Sequence, residues 1–476
     1  MSKSFNKTKI VATVGPASNT KEKLLELIVA GVDVFRLNFS HGTHQQHLEV
    51  INHIHDLNKT FNYNISILQD LQGPKIRIGE MENGSVEIFE GDDLVITTEQ
   101  EIVGTAHKIS TTYSPLTRDV KSGDTVMIDD GNIELRVYKV DGPDVYTKVV
   151  FGGVLKSRKG MNLPDTSISE PSLTKKDRRD LEFGLQNDVD WIAISFVRQS
   201  GDVTELKNII RDRGKRAKVV AKIERPEAIK DIDAIIEASD ALMVARGDLG
   251  VEIQMEEVPI QQKRIVRKCN MAAKPVIIAT QMMESMIENP RPTRAEANDV
   301  ANAVLDGTDA VMLSAETASG KYPIQVIQKM TRIIRAVEST ADIYDKYYKH
   351  DLSDPYFYSE VIIDSACQMA RQTNAKAIIG MTNSGFTAFR IARHRPEADI
   401  FIFTANKPLL RTLSLVWGVR SFYHKGTEST NDTFEQLKEI LVKEGHLRKG
   451  NVYINTASMP LEAKKKTNMV KINIVE

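Results

Sequence analysis

Six short apolar runs in this chain end in charged or hydroxyl side chains, and those ends are where chemistry could be done. Arg36-Leu37-Asn38-Phe39-Ser40 closes one run, Asp70 a second and Lys222-Ile223-Glu224 a third. Ala245-Arg246-Gly247-Asp248, Thr280-Gln281 and Ser314-Ala315-Glu316 close the others. In an extended strand, alternation puts Arg36, Asn38 and Ser40 on one side and Leu37 and Phe39 on the other. A single strand-end Lys or Asp is usually a solvated or paired charge, but six such ends in one chain argue for a shared site. Glu224 and Asp248 end consecutive strand candidates, and neighbouring strands run ~4.8 Å apart, so their carboxylates can converge on one hard cation. Two carboxylates without Cys or His suit Mg²⁺, with Mn²⁺ as a substitute, and leave coordination positions for water and substrate oxygens. The plain alternative is a pair of structural salt bridges with Lys222 and Arg246 as partners.

The elements that must position these ends follow a strand-helix rhythm. Strand candidates lie at 10–14, 34–38 and 65–68, and again at 192–196, 219–223, 242–245, 276–280 and 311–313. Amphipathic stretches separate them, such as the one carrying Leu48, Ile51, Ile54 and Leu57. Three βα units before residue 73 and five after residue 167 make eight, which points to an α/β fold with a (β/α)₈ TIM barrel. Residues 73–167 alternate in short segments such as Ile133-Glu134-Leu135-Arg136-Val137, with turn signals at Asp130-Gly131 and Asp141-Gly142-Pro143. That reads as a small all-β domain inserted after the third strand. A Tyr-, Lys- and Asp-rich stretch near 342–355 precedes new strand candidates at 377–381, 400–404 and 452–455. The expected domains are therefore a barrel from 1–72 and 168–345, the β insert at 73–167, and an open α/β domain at 346–476.

A length of 476 residues requires several domains. The net charge of -1 gives no basic excess with which to neutralise a phosphate backbone, so nucleic acid is not an expected partner. Cys269 and Cys367 lie far apart with no metal-ligand spacing, which fits a reducing cytoplasm. No signal-like N-terminal segment or membrane-length apolar run is seen, so neither export nor a membrane is expected.

Several multi-residue segments occur together in order: Thr8–Ser18, Phe35-Arg36-Leu37-Asn38-Phe39-Ser40-His41-Gly42, Ala221-Lys222-Ile223-Glu224, 243–250, Ala279-Thr280-Gln281-Met282 and 312–317. This set resembles the pyruvate kinase family, through the barrel and insert and more loosely through the C-terminal domain. The resemblance implies phosphoryl transfer from phosphoenolpyruvate to ADP, then protonation of the enolate. It implies Lys222 at the transferring phosphoryl group and the enolate oxygen, and a metal held by Glu224 and Asp248. Backbone N–H groups around Arg246, Gly247 and Asp248, with the Thr280 hydroxyl, would take the substrate carboxylate. Arg36 and Arg77 would face phosphate, while Asn38, Ser40 and His41 would lie on the nucleotide side. Protonation would pass through water near Thr280, Ser314 and Glu316. The insert, with Asp129-Asp130-Gly131 and Lys159–Pro164, corresponds to the family's lid, although Asp129 and Asp130 alone would read as hairpin-turn residues. Gln199 stands where many members carry a Lys for the nucleotide phosphates. A homotetramer is implied, with the 289–296 segment near a subunit contact.

Two expectations go beyond the family label. Thr382, Asn383, Ser384, Gly385 and Thr387 join a strand candidate to a helix carrying Arg390 and Arg393, which suits a phosphorylated effector as well as an ordinary helix cap. The family's second effector loop is usually Gly-rich, whereas this chain has Met459-Pro460-Leu461-Glu462-Ala463-Lys464-Lys465-Lys466-Thr467-Asn468. A sugar monophosphate is thus as plausible an effector as fructose 1,6-bisphosphate. The second expectation is independence of K⁺. Lys75 stands where K⁺-requiring members carry Glu, and Leu71 where they carry Thr beside the ligands corresponding to Asn38, Ser40 and Asp70. An ammonium group carries its own charge to the phosphate. The competing readings are a phosphoenolpyruvate barrel with a phosphohistidine carrier, for which none of the ten histidines lies in a distinct motif, and a degenerate sensor, which would require loss of Lys222, Glu224 or Asp248.

Overall fold

The computed structural model describes residues 5–340, 343–350, 352–427, 429–459 and 466–476. Eight parallel strands close into a barrel: β1 (Lys9–Thr13), β2 (Val34–Asn38), β3 (Ser66–Asp70), β4 (Trp191–Ile194), β5 (Lys218–Ile223), β6 (Ala241–Ala245), β7 (Val276–Ala279) and β8 (Ala310–Leu313). Each is a nearly continuous apolar run because both faces are buried. Ile10, Ile67, Ile192 and Ile278 pack outward against the helices, while Val11, Leu68, Trp191 and Ile277 fill the interior. Carried to the upper ends of the strands, the interior parity aims Arg36, Asp70, Ser195 and Lys222 into the barrel mouth.

The chain leaves this frame after β3 and returns at β4. Between them lie a six-stranded sheet and a two-stranded sheet around a hydrophobic core of their own. The hairpin turn after Thr125–Ile128 places Asp129, Asp130 and Gly131 at φ 56°, 56° and 84°. Asp129 also pairs with Lys159 at 2.7 Å.

The C-terminal sheet has β9 (Ala377–Met381) at its centre, with β10 (Asp399–Thr404) and β11 (Val419–Tyr423) on one side and β12 (Val452–Ala457) and β13 (Met469–Ile474) on the other. Only β13 runs antiparallel to its neighbour.

The lower rim of the barrel is built by repetition. Asp33, Asp190, Asp240 and Asp309 each precede an even-numbered strand, and each accepts a backbone N–H from the strand before it, those of Ile10, Ile67, Val219 and Val276, at 2.9–3.1 Å. The C-terminal domain docks on this rim. Its Arg395 pairs with Asp309 at 3.0 Å and its Arg411 with Asp190 at 2.8 Å, beneath strands on opposite sides of the barrel. Between these arginines, Leu415 enters the apolar interior and closes the lower end. No helix among the described residues is long and apolar enough to cross a membrane.

Candidate active site

At the upper rim, Lys222 lies at the centre of a buried polar cluster. Its ammonium group donates to Ser195 Oγ at 2.8 Å, and lies 2.8 Å from Glu224 Oε1 and 3.3 Å from Asp70 Oδ1. Asp70 Oδ2 is held by Arg36 Nε at 2.7 Å, and Arg36 Nη1 donates to Thr13 Oγ1 at 3.0 Å. Five consecutive strands, β1 to β5, thus contribute to one polar network, with Ser195 supplied from the end of β4.

Electrostatics follows from this packing. Burial acts to lower the Lys222 pKa, but the carboxylates of Asp70, Glu224 and Asp248 outweigh it and hold the ammonium above its usual range. Burial acts to raise Asp70, and Lys222 with Arg36 overcomes it, leaving Asp70 below the usual carboxylate range. Glu224 is pushed up, first by burial and further by Asp248, against the opposing pull of Lys222 and the Phe196 N–H. Asp248 itself has no partner at hydrogen-bonding or ion-pair distance among the described residues. Three carboxylates therefore face two cations, and the unpaired one lies beside Glu224. A small divalent cation fits this donor set.

The next two strands shape the other wall. β7 ends in a left-handed turn, with Thr280 at φ 67° and Gln281 at φ 54°. Across it, the Gly247 N–H donates to Thr280 Oγ1 at 2.7 Å. The Arg246 side chain turns away from Asp248. It pairs with Asp299 at 2.7 Å and donates to the Thr280 carbonyl at 2.7 Å, so it braces this turn. Of the two structural salt bridges weighed from sequence, Lys222 with Glu224 is present, and Arg246 has a different partner. At β8, Glu316 is buried. Its Oε2 accepts the Ser314 N–H at 2.7 Å and its Oε1 the Met283 N–H at 3.2 Å. Burial raises its pKa, and those N–H groups oppose the shift.

The remaining positions spread around the rim. Asn38 Oδ1 accepts the Ser40 N–H at 3.1 Å, and His41 is exposed beyond it. Partial burial, followed by Lys75, Arg77 and Arg36, lowers the His41 pKa, so these cations share one field. Lys75 is exposed at the entry to the insert, whereas Leu71 is buried in the barrel wall. Arg77 Nη1 donates to the Arg158 carbonyl at 2.9 Å. Gln199 is exposed, with its backbone N–H on Asp202.

Sequence reasoning passed over Ser195 and Phe196. Ser195 donates to the Leu71 carbonyl at 2.7 Å while accepting from Lys222, and the Phe196 N–H donates to Glu224 Oε2 at 2.7 Å. Phe196 sits at φ 55°, so the strand expected to run to 196 stops at Ile194 and turns these groups inward. Gly73 is needed there, since a Cβ would lie 2.7 Å from the Phe196 ring.

In the C-terminal domain, Gly385 at φ 89° lets its N–H reach Thr382 Oγ1 at 3.1 Å, and Thr387 Oγ1 meets Thr467 Oγ1 at 2.7 Å. A cavity of about 390 Å³ opens here, lined also by Asn383, Ser384, Lys425 and Lys466. Residues 460–465 of the expected second loop lie outside the described residues.

Comparison with known proteins agrees with this architecture. The family model for the pyruvate kinase barrel domain matches residues 5–327, and that for the pyruvate kinase alpha/beta domain matches residues 360–473. The chain is 43% identical over 472 residues to the pyruvate kinase of Geobacillus stearothermophilus, covering 98% of this chain and 80% of that one. It is 43% identical over 478 residues to a Staphylococcus aureus pyruvate kinase, covering 99% and 81%. A crystal structure of a pyruvate kinase from Cryptosporidium parvum superposes with a TM-score of 0.92 at 36% identity, covering 99% of this chain and 96% of that one. The chain belongs to the pyruvate kinase family, enzymes that pass the phosphoryl group of phosphoenolpyruvate to ADP and yield pyruvate and ATP.

Proposed function

We propose that Lys222 is the centre of this reaction, an assignment carried by its ammonium group being buried among Ser195, Asp70 and Glu224 at the barrel mouth. Phosphoryl transfer needs positioning and charge stabilisation more than covalent help from the protein. Lys222 stabilises the transferring phosphoryl group and then the enolate oxygen, where negative charge grows. Arg36, fixed by Asp70, meets the phosphate. Glu224 and Asp248 hold Mg²⁺ or Mn²⁺, which supplies charge neutralisation at the substrate oxygens. The substrate carboxylate lies against the N–H groups of Arg246, Gly247 and Asp248 and the Thr280 hydroxyl, exchanging the bond that Gly247 and Thr280 now make with each other. The nucleotide side comprises Asn38, Ser40, His41 and Arg77. The proton for the methylene carbon arrives through water near Thr280, Ser314 and Glu316, with Glu316 fixing the Ser314 and Met283 backbone. The β insert closes over the site and excludes water. In a lactate-dehydrogenase-coupled assay with phosphoenolpyruvate, ADP and Mg²⁺, Lys222→Met should lower kcat by about 10³-fold or more with the fold retained. Wild-type turnover by that variant would refute the assignment.

The finer reading is that this enzyme does not require K⁺. Lys75 shares the field of Arg36 and Arg77 at His41, and Leu71 offers no oxygen ligand. Full activity should persist with tetramethylammonium as the only monovalent cation, and Lys75→Glu with Leu71→Thr should create a K⁺ requirement. A collapse of the wild-type rate without K⁺ would end this reading. The loop Thr382, Asn383, Ser384, Gly385 and Thr387, facing Lys425 and Lys466, takes a sugar-phosphate effector. Calorimetry against a panel of sugar phosphates tests that. The assembly is a homotetramer acting in the cytoplasm, and light scattering giving a monomer would count against the assembly.

A further inference from the structure

Arg225 follows Glu224 and is only 1% exposed, yet nothing in the phosphoryl-transfer reading uses it. A buried guanidinium is costly unless its donors are satisfied. Here Nη1 donates to Glu252 Oε2 at 2.7 Å and Nη2 to the Thr166 carbonyl at 2.9 Å, while Nε and Nη2 reach Glu227 at 3.3 Å. Glu252 is the last residue of the helix Arg246–Glu252, whose first turn carries Gly247 and Asp248. Its other oxygen accepts from Asn162 Nδ2 at 2.8 Å. Asn162 closes the last strand of the lid, Met161–Asn162, and Thr166 lies on the chain's return to the barrel. The lid approaches the same helix a second time, since a Cβ on Gly131 at its hairpin turn would stand 3.8 Å from Val251.

We propose that Arg225 is a positioning residue that clasps the Gly247–Asp248 helix to the return arm of the lid, making lid seating and the register of Asp248 against Glu224 one movement. The proposal rests on the reading of Glu224 and Asp248 as the metal-holding pair. The helix is a single short rod, and Asp248 lies about one turn, ~5.4 Å, from the anchored end at Glu252, so a shift of that end reaches Asp248 undiminished. A guanidinium suits the junction because its fixed fork serves three partners in different directions, which a point-charge ammonium cannot. The Asn162 amide links this cluster to the lid's sheet.

Asn162→Ala leaves the Arg225–Glu252 pair intact. It should lower kcat about tenfold with KM for phosphoenolpyruvate within about twofold, since small displacements at a reacting centre are costly in rate. The melting temperature should stay within about 3 °C. Arg225→Met alone strands the Glu252 charge and destabilises the fold. Arg225→Met combined with Glu252→Met removes both charges and recovers stability. That pair should still run about a hundredfold slower than wild type. Hydrogen exchange supplies a readout besides activity: protection of residues 162–166 should rise on adding phosphoenolpyruvate and Mg²⁺ to the wild type, and should not change in either variant. A double variant with wild-type kcat and a recovered melting temperature would make Arg225 purely structural and overturn the proposal. Wild-type kcat in Asn162→Ala would do the same. Asp248→Asn run alongside separates the two readings. If it retains full activity, the metal-pair reading fails. If it is inactive while the clasp variants turn over normally, the clasp alone fails.

Discussion

The two ends of this barrel carry the same residue types to opposite effect. Below, Asp33, Asp190, Asp240 and Asp309 each take a backbone N–H from the neighbouring strand, and Asp190 and Asp309 also hold arginines from the C-terminal domain. Above, Asp70 bonds side chains, and Asp248 has no close partner among the described residues. A carboxylate held by a backbone N–H helps to fasten the fold, whereas one with no close partner, such as Asp248, retains its full capacity for a ligand, and Glu224, bonded to the Phe196 N–H and to Lys222, stands between the two. Clustered charge is therefore a poor guide to function until the partners are named. By the same measure Glu316, on the upper rim but bonded to two N–H groups, belongs with the fasteners.

The contrast breaks most visibly if a fastener and a ligand are neutralised in parallel. Asp248→Asn is expected to lower kcat by about 10³-fold with little change in melting temperature. Asp309→Asn should do the reverse, lowering the melting temperature by about 5–10 °C, because Arg395 is left buried without its counter-charge, and changing kcat less than about threefold. Coupled assays and thermal melts on the two variants decide the matter, and a large kcat loss in Asp309→Asn would erase the distinction.

A sharper test uses pH. Burial pushes the Asp190 carboxyl up to about 6 from an ordinary 3.8, against the pull of Arg411. The folded state thus binds this proton more tightly than the unfolded chain, and the stability so contributed is complete below pH 3.8 and lost as pH rises through 6. Arg411→Met removes the guanidinium that opposes this shift. Its cost in urea-unfolding free energy should be greatest above about pH 7 and smallest near pH 5, where Asp190 is protonated. An equal cost at both pH values would show that Asp190 is not the group concerned. The smallest effect is expected for Glu316→Gln, which keeps an acceptor for one N–H. A kcat within about fivefold of wild type fits a fastener, and a loss of about 10³-fold would place Glu316 in the chemistry.

The eight barrel strands were legible because each is buried on both faces and so reads as a continuous apolar run. Two strands of the C-terminal sheet, β11 and β13, were not, and both are edges. An edge strand such as Met469–Ile474 has no fully buried residue, and Lys471 and Asn473 interrupt its apolar residues, so it shows no run to find. The upper-rim residues could be named from their strand ends. Ser195, Phe196 and Arg225 could not, because their roles arise from contacts between segments far apart in sequence.

The Leu415 plug bears on how the molecule comes apart. With Leu415 in the barrel interior and Arg395 and Arg411 on carboxylates beneath opposite strands, withdrawal of the C-terminal domain uncovers the apolar interior at the lower end and breaks both ion pairs at once. Barrel and C-terminal domain are therefore bound into one cooperative folding unit, while the insert keeps a hydrophobic core of its own and meets the barrel through the Asn162–Glu252–Arg225 contacts. During synthesis the barrel must wait, its lower end unsealed, until residues 395–415 have left the ribosome.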